Sequence, residues 1–266
     1  MAESLFQPFP MLPKRRAQAW RHQPTYRRPR HFHSEPELNV VCRGSALVGL
    51  GDSVVALGTG DVLLFHPGQD HVLLEGSIDL ELWVVALRPD LAAKACETLA
   101  RVASVPRQLE PSALAALDDE LASLASVADA NAVESRLALV FEQLQRRLSP
   151  NHVLSRLALE HVKEKPETAG AALAQRLGVD PSVLSRQFRE DFAITFVSYR
   201  SRQRAMAFVR LVDSGKTLTR AAVEAGFGSY AQCHRVITQA LGCSPQRYFA
   251  GERERIDRAT LLTAQA

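Results

Sequence analysis

Three histidines and a glutamate near the start of the chain have the types and spacing of a ligand set. His31 and His33 alternate in His31-Phe-His33-Ser-Glu-Pro-Glu37. On a strand, residues two apart face the same side. Glu37 and His71 can join them in a mixed nitrogen and oxygen site, which suits Zn, Fe, Mn or Ni. A vacant position on such a metal would admit a small molecule. An enzyme could use the same open site for oxygenase or isomerase chemistry. Two further readings stay open: the four groups line a metal-free effector pocket, or they only satisfy one another. His66 and His22 have no place in the set.

A different chemistry is written in the second half. In Ala171-Ala-Leu-Ala-Gln-Arg-Leu-Gly-Val-Asp-Pro-Ser-Val-Leu-Ser-Arg-Gln-Phe188, Leu173 and Leu177 share one face of a short helix. Gly178 can end that helix in the left-handed conformation. Asp180 then stands at the N-cap of a second helix, with Pro181 at its first position. Leu184 and Phe188 point inward there, leaving Ser182, Ser185, Arg186 and Arg189 outward. Two short helices across such a turn make a helix-turn-helix, whose second helix reads the major groove. The pattern returns in Ala221-Ala-Val-Glu-Ala-Gly-Phe-Gly-Ser229, followed by a helix from Tyr230 to Leu241. Cys233, Val236 or Ile237, and Ala240 face in, and Tyr230, Ala231, His234, Arg235 and Thr238 are left for DNA. Between the units, Phe196–Val212 reads as one connecting helix of roughly 25 Å, long enough to set two readers about one DNA turn apart.

The elements that position these groups follow from punctuation and period. Short strands are expected at Leu38–Val41, Ala46–Leu50, Ser53–Leu57, Asp61–Phe65, His71–Leu74 and Leu80–Leu87, separated by Gly and Pro. Six such strands suggest an antiparallel barrel or jelly roll. After Pro89 the period becomes helical, with helices near 90–103, 111–127 and 131–148. Leu114, Leu117, Leu121 and Leu124 form one apolar stripe. Leu137, Val140 or Phe141, Leu144 and Leu148 form another. Both can pack on their own domain or make a dimer seam. Residues 1–30 are Pro-rich and basic, with Lys14, Arg15, Arg16, Arg21, Arg27, Arg28 and Arg30. They read as an arm that could reach DNA, cover a pocket or stay solvated.

Composition narrows the classes. The 266 residues suggest two domains, and no stretch is long and apolar enough to span a membrane. Met1 to Pro13 lacks the pattern of a secretory signal. Cys42, Cys96, Cys233 and Cys243 form no metal-finger spacing and fit a reducing cytoplasm. The net charge of +3 is uneven. From Asn151 onward there are 17 Lys and Arg against 11 Asp and Glu, while the rest of the chain is acidic on balance. The basic half is the candidate for a polyanionic partner.

Residues 151–250 resemble the AraC/XylS family of bacterial transcription regulators. The resemblance rests on Leu173-Ala174, Gly178-Val179, Leu184-Ser185-Arg186-Gln187-Phe188, Phe196 with Tyr199, Arg204, Gly226-Phe227, and Gly242-Cys-Ser-Pro245 with Tyr248. It implies major-groove contacts from Ser182, Ser185 and Arg186, and from Tyr230, Ala231, His234 and Arg235. Ala221, Cys233, Ile237 and Phe208 depart from the family's usual sizes, which implies either looser packing in the second unit or a smaller share of the binding energy. Residues 29–88 resemble the cupins: His31, His33, Glu37 and Gly44 match the first motif. Gly60 to His71 resembles the second, with altered Gly60 and Pro67 spacing and Glu75 where an Asn is usual.

The expected protein is α+β. An arm (1–30) precedes an antiparallel β-barrel of cupin or jelly-roll type with appended helices (31–148). An all-α domain with two helix-turn-helix units (151–266) follows. The expected function is a cytoplasmic, sequence-specific, DNA-binding transcription regulator, not an enzyme. It would bind promoter or operator duplex DNA and respond to a small molecule or a divalent metal in the barrel. A homodimer is expected, and RNA polymerase is a further candidate partner.

Overall fold

The computed structural model describes residues 5–9, 11, 17–24, 29–89, 97, 99–126, 130–145, 148 and 150–252. Cys96, most of the helix expected at 90–103, and Lys14, Arg15, Arg16, Arg27 and Arg28 of the arm lie outside them.

The first half is a sandwich of two five-stranded sheets. Its strands are β1 (Leu5–Phe6), β2 (Ala17–His22), β3 (His31–Phe32), β4 (Glu37–Arg43), β5 (Ser45–Leu50), β6 (Ser53–Gly58), β7 (Asp61–Phe65), β8 (His71–Gly76), β9 (Glu81–Leu87) and β10 (Arg107–Gln108). One sheet runs β1-β3-β8-β5-β6 and the other β10-β7-β4-β9-β2. Strand β7 shows why the sequence folds this way. Alternate residues of a strand face opposite sides. Leu63 and Phe65 therefore point between the sheets, with Val41, Val48, Leu50 and Leu82. Val62 and Leu64 point outward into a second apolar layer with Leu38, Val40, Trp83 and Val85.

That outer layer is covered by α1 (Pro111–Ser126) and α2 (Ala130–Gln145). Leu117, Leu121 and Leu124 of α1, and Val133, Leu137, Val140 and Leu144 of α2, all sit in it. Both apolar stripes thus pack within the chain, against the outer face of the sheet. Two boundaries also differ from the sequence reading. Ala17–His22, assigned to the arm, is a strand paired along its length with Leu82–Leu87 of β9. At Val102, where a helix is expected, the chain makes an isolated antiparallel bridge to Pro150.

The second half is helical. It comprises α3 (Val153–Glu164), α4 (Gly170–Arg176), α5 (Pro181–Phe192), α6 (Phe196–Asp213), α7 (Leu218–Glu224), α8 (Tyr230–Leu241) and a last short turn, α9 (Pro245–Arg247). The first unit closes around Leu173, Ala174, Leu184, Phe188, Phe192 and Tyr199. The second closes around Phe208, Ala221, Ala222, Phe227, Cys233 and Ile237. Phe208, Ala221, Cys233 and Ile237 are all fully buried there. The large Phe208 shares this cluster with the small Ala221 and Cys233. Phe6 and Phe32 of the barrel belong to the same cluster. Burial pushes the Cys42 and Cys233 thiols up, to about 11 and about 12, which leaves both as unreactive packing groups. Among the described residues, no helix is long and apolar enough to cross a membrane.

Candidate functional site

The barrel brings the sequence-derived ligand set together. His31 on β3 is paired in register with His71 on β8. His33 follows one residue after β3, so alternation places it beside His31, with ring centroids 5.9 Å apart. The His31 and His71 rings lie at 4.5 Å, and those of His33 and His71 at 5.1 Å. Each imidazole is anchored the same way. His31 Nδ1 lies 2.9 Å from the Pro29 carbonyl, His33 Nδ1 2.8 Å from that of Glu35, and His71 Nδ1 3.1 Å from that of Gln69. A carbonyl can only accept, so each Nδ1 carries the proton and each Nε2 is turned to its neighbours. One ligand atom from each ring falls within 4.8 Å of the others. Glu37 completes the group. Its Oε2 lies 3.0 Å from His33 Nε2 and 3.5 Å from His71 Nε2. The Nε2 of His71 is buried without a hydrogen-bond partner.

The electrostatics follow from burial and crowding. Burial, then the neighbouring His71 and His33, hold His31 well below the ordinary histidine value. Burial also pulls His33 down, but the hydrogen bond and charge of Glu37 outweigh it and its pKa rises. Burial would raise Glu37, yet His71 and His33 keep it well below the usual carboxylate range. The centre is therefore a buried carboxylate that accepts from His33 Nε2, with His31 held neutral beside it.

His31, Glu37 and His71 line a cavity of about 200 Å³. Trp20 and His22 of β2 line it, together with Val41, Val48, Leu57, Phe65 and Leu82. Asn39 also lines it, and its Oδ1 is buried without a hydrogen-bond partner. Sequence reasoning missed this wall because β2 was read as part of the arm; the Ala-Gln-Ala-Trp alternation was the available signal. His66 is apart from the set. It donates from Nε2 to the Val102 carbonyl at 2.7 Å and lies edge-on to Phe192.

The second candidate site is the pair of recognition helices. Asp180 caps α5 by accepting from the Ser182 amide at 2.8 Å. Leu184 and Phe188 are buried, while Ser182, Ser185, Arg186 and Arg189 are exposed. On α8, Ser229 accepts from the Gln232 amide at 3.1 Å. Cys233, Ile237 and Ala240 are buried, Ala231 and Arg235 are exposed, and Tyr230 and His234 are half-buried. Gln246 donates to the Tyr230 hydroxyl at 2.9 Å and so fixes that ring at the start of the helix. The two units also touch directly. Arg200 and Arg204 of α6 donate to the Thr168 and Pro166 carbonyls, and the Arg204 guanidinium lies 5.7 Å over the Phe227 ring. Gly226, at φ 83°, brings the second turn so close to Glu167 that an added Cβ would lie 3.1 Å from its amide nitrogen.

Comparison with known proteins gives two family matches. Residues 173–251 match a helix-turn-helix domain, and residues 16–161 match the AraC-like ligand binding domain. No curated protein matches the chain. Among solved structures, ToxT from Vibrio cholerae O395 is 12% identical over 87% of this chain and 95% of its own, with a TM-score of 0.47. The C-terminal domain of AraT, a response regulator from Geobacillus stearothermophilus, is 20% identical over 38% of this chain and 86% of its own, with a TM-score of 0.36. A DNA-binding transcriptional dual regulator from Escherichia coli K-12 is 20% identical over 45% of this chain and 97% of its own, with a TM-score of 0.33. The ligand-binding match alone covers more than half of the sequence, and its start at residue 16 takes in β2. This chain belongs to the AraC family of transcription regulators, with a DNA-binding helix-turn-helix half behind an AraC-like ligand-binding half.

Proposed function

We propose that the chain reads a two-part operator in duplex DNA and that a ligand in the barrel cavity sets how tightly it does so. Ser182, Ser185, Arg186 and Arg189 of α5 would meet one stretch of major groove. Tyr230, Ala231, His234 and Arg235 of α8 would meet the next. Lys and Arg around them would supply phosphate contacts, so affinity falls as salt rises.

One observation carries the cavity reading: three imidazoles whose Nδ1 protons are spent on backbone carbonyls while their Nε2 atoms converge. A backbone carbonyl accepting from each Nδ1 fixes the tautomer a metal requires. The residues present therefore fit a divalent cation of the Zn, Fe, Mn or Ni group. His31, His33 and His71 would hold it, with Glu37 beside them. Such an ion would supply a Lewis-acidic centre at the cavity end for a donor atom of the effector. The chain's own part is to orient the rings, exclude water with Val48, Phe65 and Leu82, and offer Asn39 as a further polar contact. One observation favours a metal-free pocket instead: the Glu37 carboxylate already satisfies His33 at 3.0 Å.

Elemental analysis of protein purified without an affinity tag separates the two. About one equivalent of metal in the wild type is expected. A marked loss in both His33→Ala and His71→Ala should follow. Wild type that stays empty after incubation with each of the four ions leaves the metal-free pocket. The same reading makes the chain a cytoplasmic homodimer that acts with RNA polymerase at a promoter, and not an enzyme. Sedimentation of the full chain tests the pairing.

A further inference from the structure

The first recognition helix ends against the barrel. Helix ends leave their last carbonyls without intrahelical partners. At the end of α5 the carbonyls of three successive residues are taken up by donors from the other half of the chain. The Ser104 amide donates to Asp191 at 2.7 Å, the Gln69 side-chain amide donates to Phe192, and the Asp52 amide donates to Ala193 at 3.0 Å. Gly51 makes the last contact sterically feasible. A Cβ added there would sit 1.9 Å from the Ala193 oxygen.

The contact reaches the reading face. Arg189 donates to the Asp52 carboxylate at 3.2 Å. Ser182, Ser185, Arg186 and Arg189 line a groove of about 750 Å³ whose opposite wall includes Ser53, Val55, Val105 and Pro106. A recognition helix must enter a major groove about 12 Å wide with phosphate backbone on both sides. With Ser53, Val55, Val105 and Pro106 facing the helix across this groove, the barrel would compete with one of those backbones for the space beside α5. On α8 it is Val236, Gln239 and Ala240 that border the barrel, while Ala231 and Arg235 stay exposed.

The same turn is tied to the cavity. Leu50, which precedes Gly51, is paired with His71. The Gly51 amide donates to the Asp70 carbonyl at 3.0 Å. Arg30 donates to both the Gly51 carbonyl and the Asp70 carboxylate, each at 2.9 Å. Arg30 and Asp70 are the immediate neighbours of His31 and His71.

We propose that Gly51–Asp52, with Gln69 and Ser104, is an autoinhibitory latch on the first recognition helix, released through β3 and β8 by what binds at His31 and His71. Docking at the latch and reading of DNA by Arg189 then exclude each other. Only the release step rests on the reading of the cavity as the effector site.

The test uses the full chain, stripped of metal with a chelator, and a duplex that the wild type selects from a random-site library. Asp52→Arg removes the acceptor for Arg189 and places a like charge beside it. Asp79→Arg makes the same charge change at an exposed barrel position. Asp52→Arg is expected to bind the duplex about tenfold more tightly than Asp79→Arg, a typical coupling between sites. The Ser104 amide should exchange with solvent faster as well. Arg30→Gln, which removes the side chain that donates to Gly51 and Asp70, should also tighten binding despite losing a positive charge. Equal affinity of Asp52→Arg and Asp79→Arg, with wild-type exchange at Ser104, overturns the latch. Tightening by Asp52→Arg alone, with none from Arg30→Gln, overturns the release route through β3 and β8. Because no metal is present, neither result depends on what fills the cavity.

Discussion

Arg204 donates to the carbonyl of Pro166 at 2.7 Å, and this bond helps to join the two halves of the DNA-reading domain. Pro166 precedes α4 of the first unit, while the Phe227 ring under the same guanidinium belongs to the turn of the second. Arg204 is buried, so a side chain that cannot donate leaves the carbonyl unpaired. Arg204→Met is expected to cost about 1.5–3 kcal/mol of stability. More tellingly, random-site selection should return two half-sites at one spacing for the wild type and at mixed spacings for the variant. A sharp single spacing from both would mean that α6 alone sets the distance.

Arg186→Ala is expected to cost roughly 1–3 kcal/mol of operator affinity and to relax preference at one or two base pairs. Arg186 is exposed on α5, one turn ahead of the latched Arg189. An arginine there can take both acceptors of a guanine edge. Selection that recovers the wild-type motif at wild-type affinity would return Arg186 to the solvated surface.

His66 should make the fold acid-sensitive. Burial holds its pKa down at about 4, although the hydrogen bond to Val102 opposes the shift. Lys163 and Asp191 are the charged groups acting on it, and they act in opposite directions. In the unfolded chain the value returns to about 6.5. The neutral ring therefore stabilises the fold fully above that value. The contribution is lost as pH falls from about 6.5 to about 4, amounting to about 3 kcal/mol for this residue. Urea unfolding at pH 7 and at pH 4.5 measures it, and His66→Gln should flatten the difference. An equal acid loss in the variant would assign the sensitivity elsewhere.

Leu121→Ala is expected to cost about 2–5 kcal/mol, because Leu121 is wholly buried between α1 and the outer face of the sheet. The loss should be the same at low and high protein concentration. A midpoint that rises with concentration in the wild type, and stops rising in the variant, would make this stripe a contact between copies.

Much of the architecture was legible because it is periodic. The alternation in β4 to β9, the glycine turns and the serine and aspartate caps each point to one local conformation. Of the candidate ligand set, His31 and His33 were legible through alternation, while Glu37 and His71 come from neighbouring strands that the fold brings beside them. Strand β2 was not, since Ala17–His22 sits in a basic, Pro-rich stretch whose composition outweighs its alternation. The stripes on α1 and α2 were seen, but a stripe does not say what covers it. Least legible were Asp52, Gln69 and Ser104. They are ordinary polar residues in turns and loops, and they become caps only because the fold carries them to a helix end more than 80 positions away in sequence.

Phe6 and Phe32 lie in the apolar core of the second helix-turn-helix unit, with Phe32 also under the Arg202 guanidinium. The two halves are therefore not interchangeable parts. A DNA-reading half grafted onto a different sensor would meet its new neighbour with a socket shaped for two phenylalanines. A sensor grafted the other way would carry two aromatic rings with nowhere to seat them. A chimera of this chain is expected to need strands β1 and β3 to travel with the helices they plug.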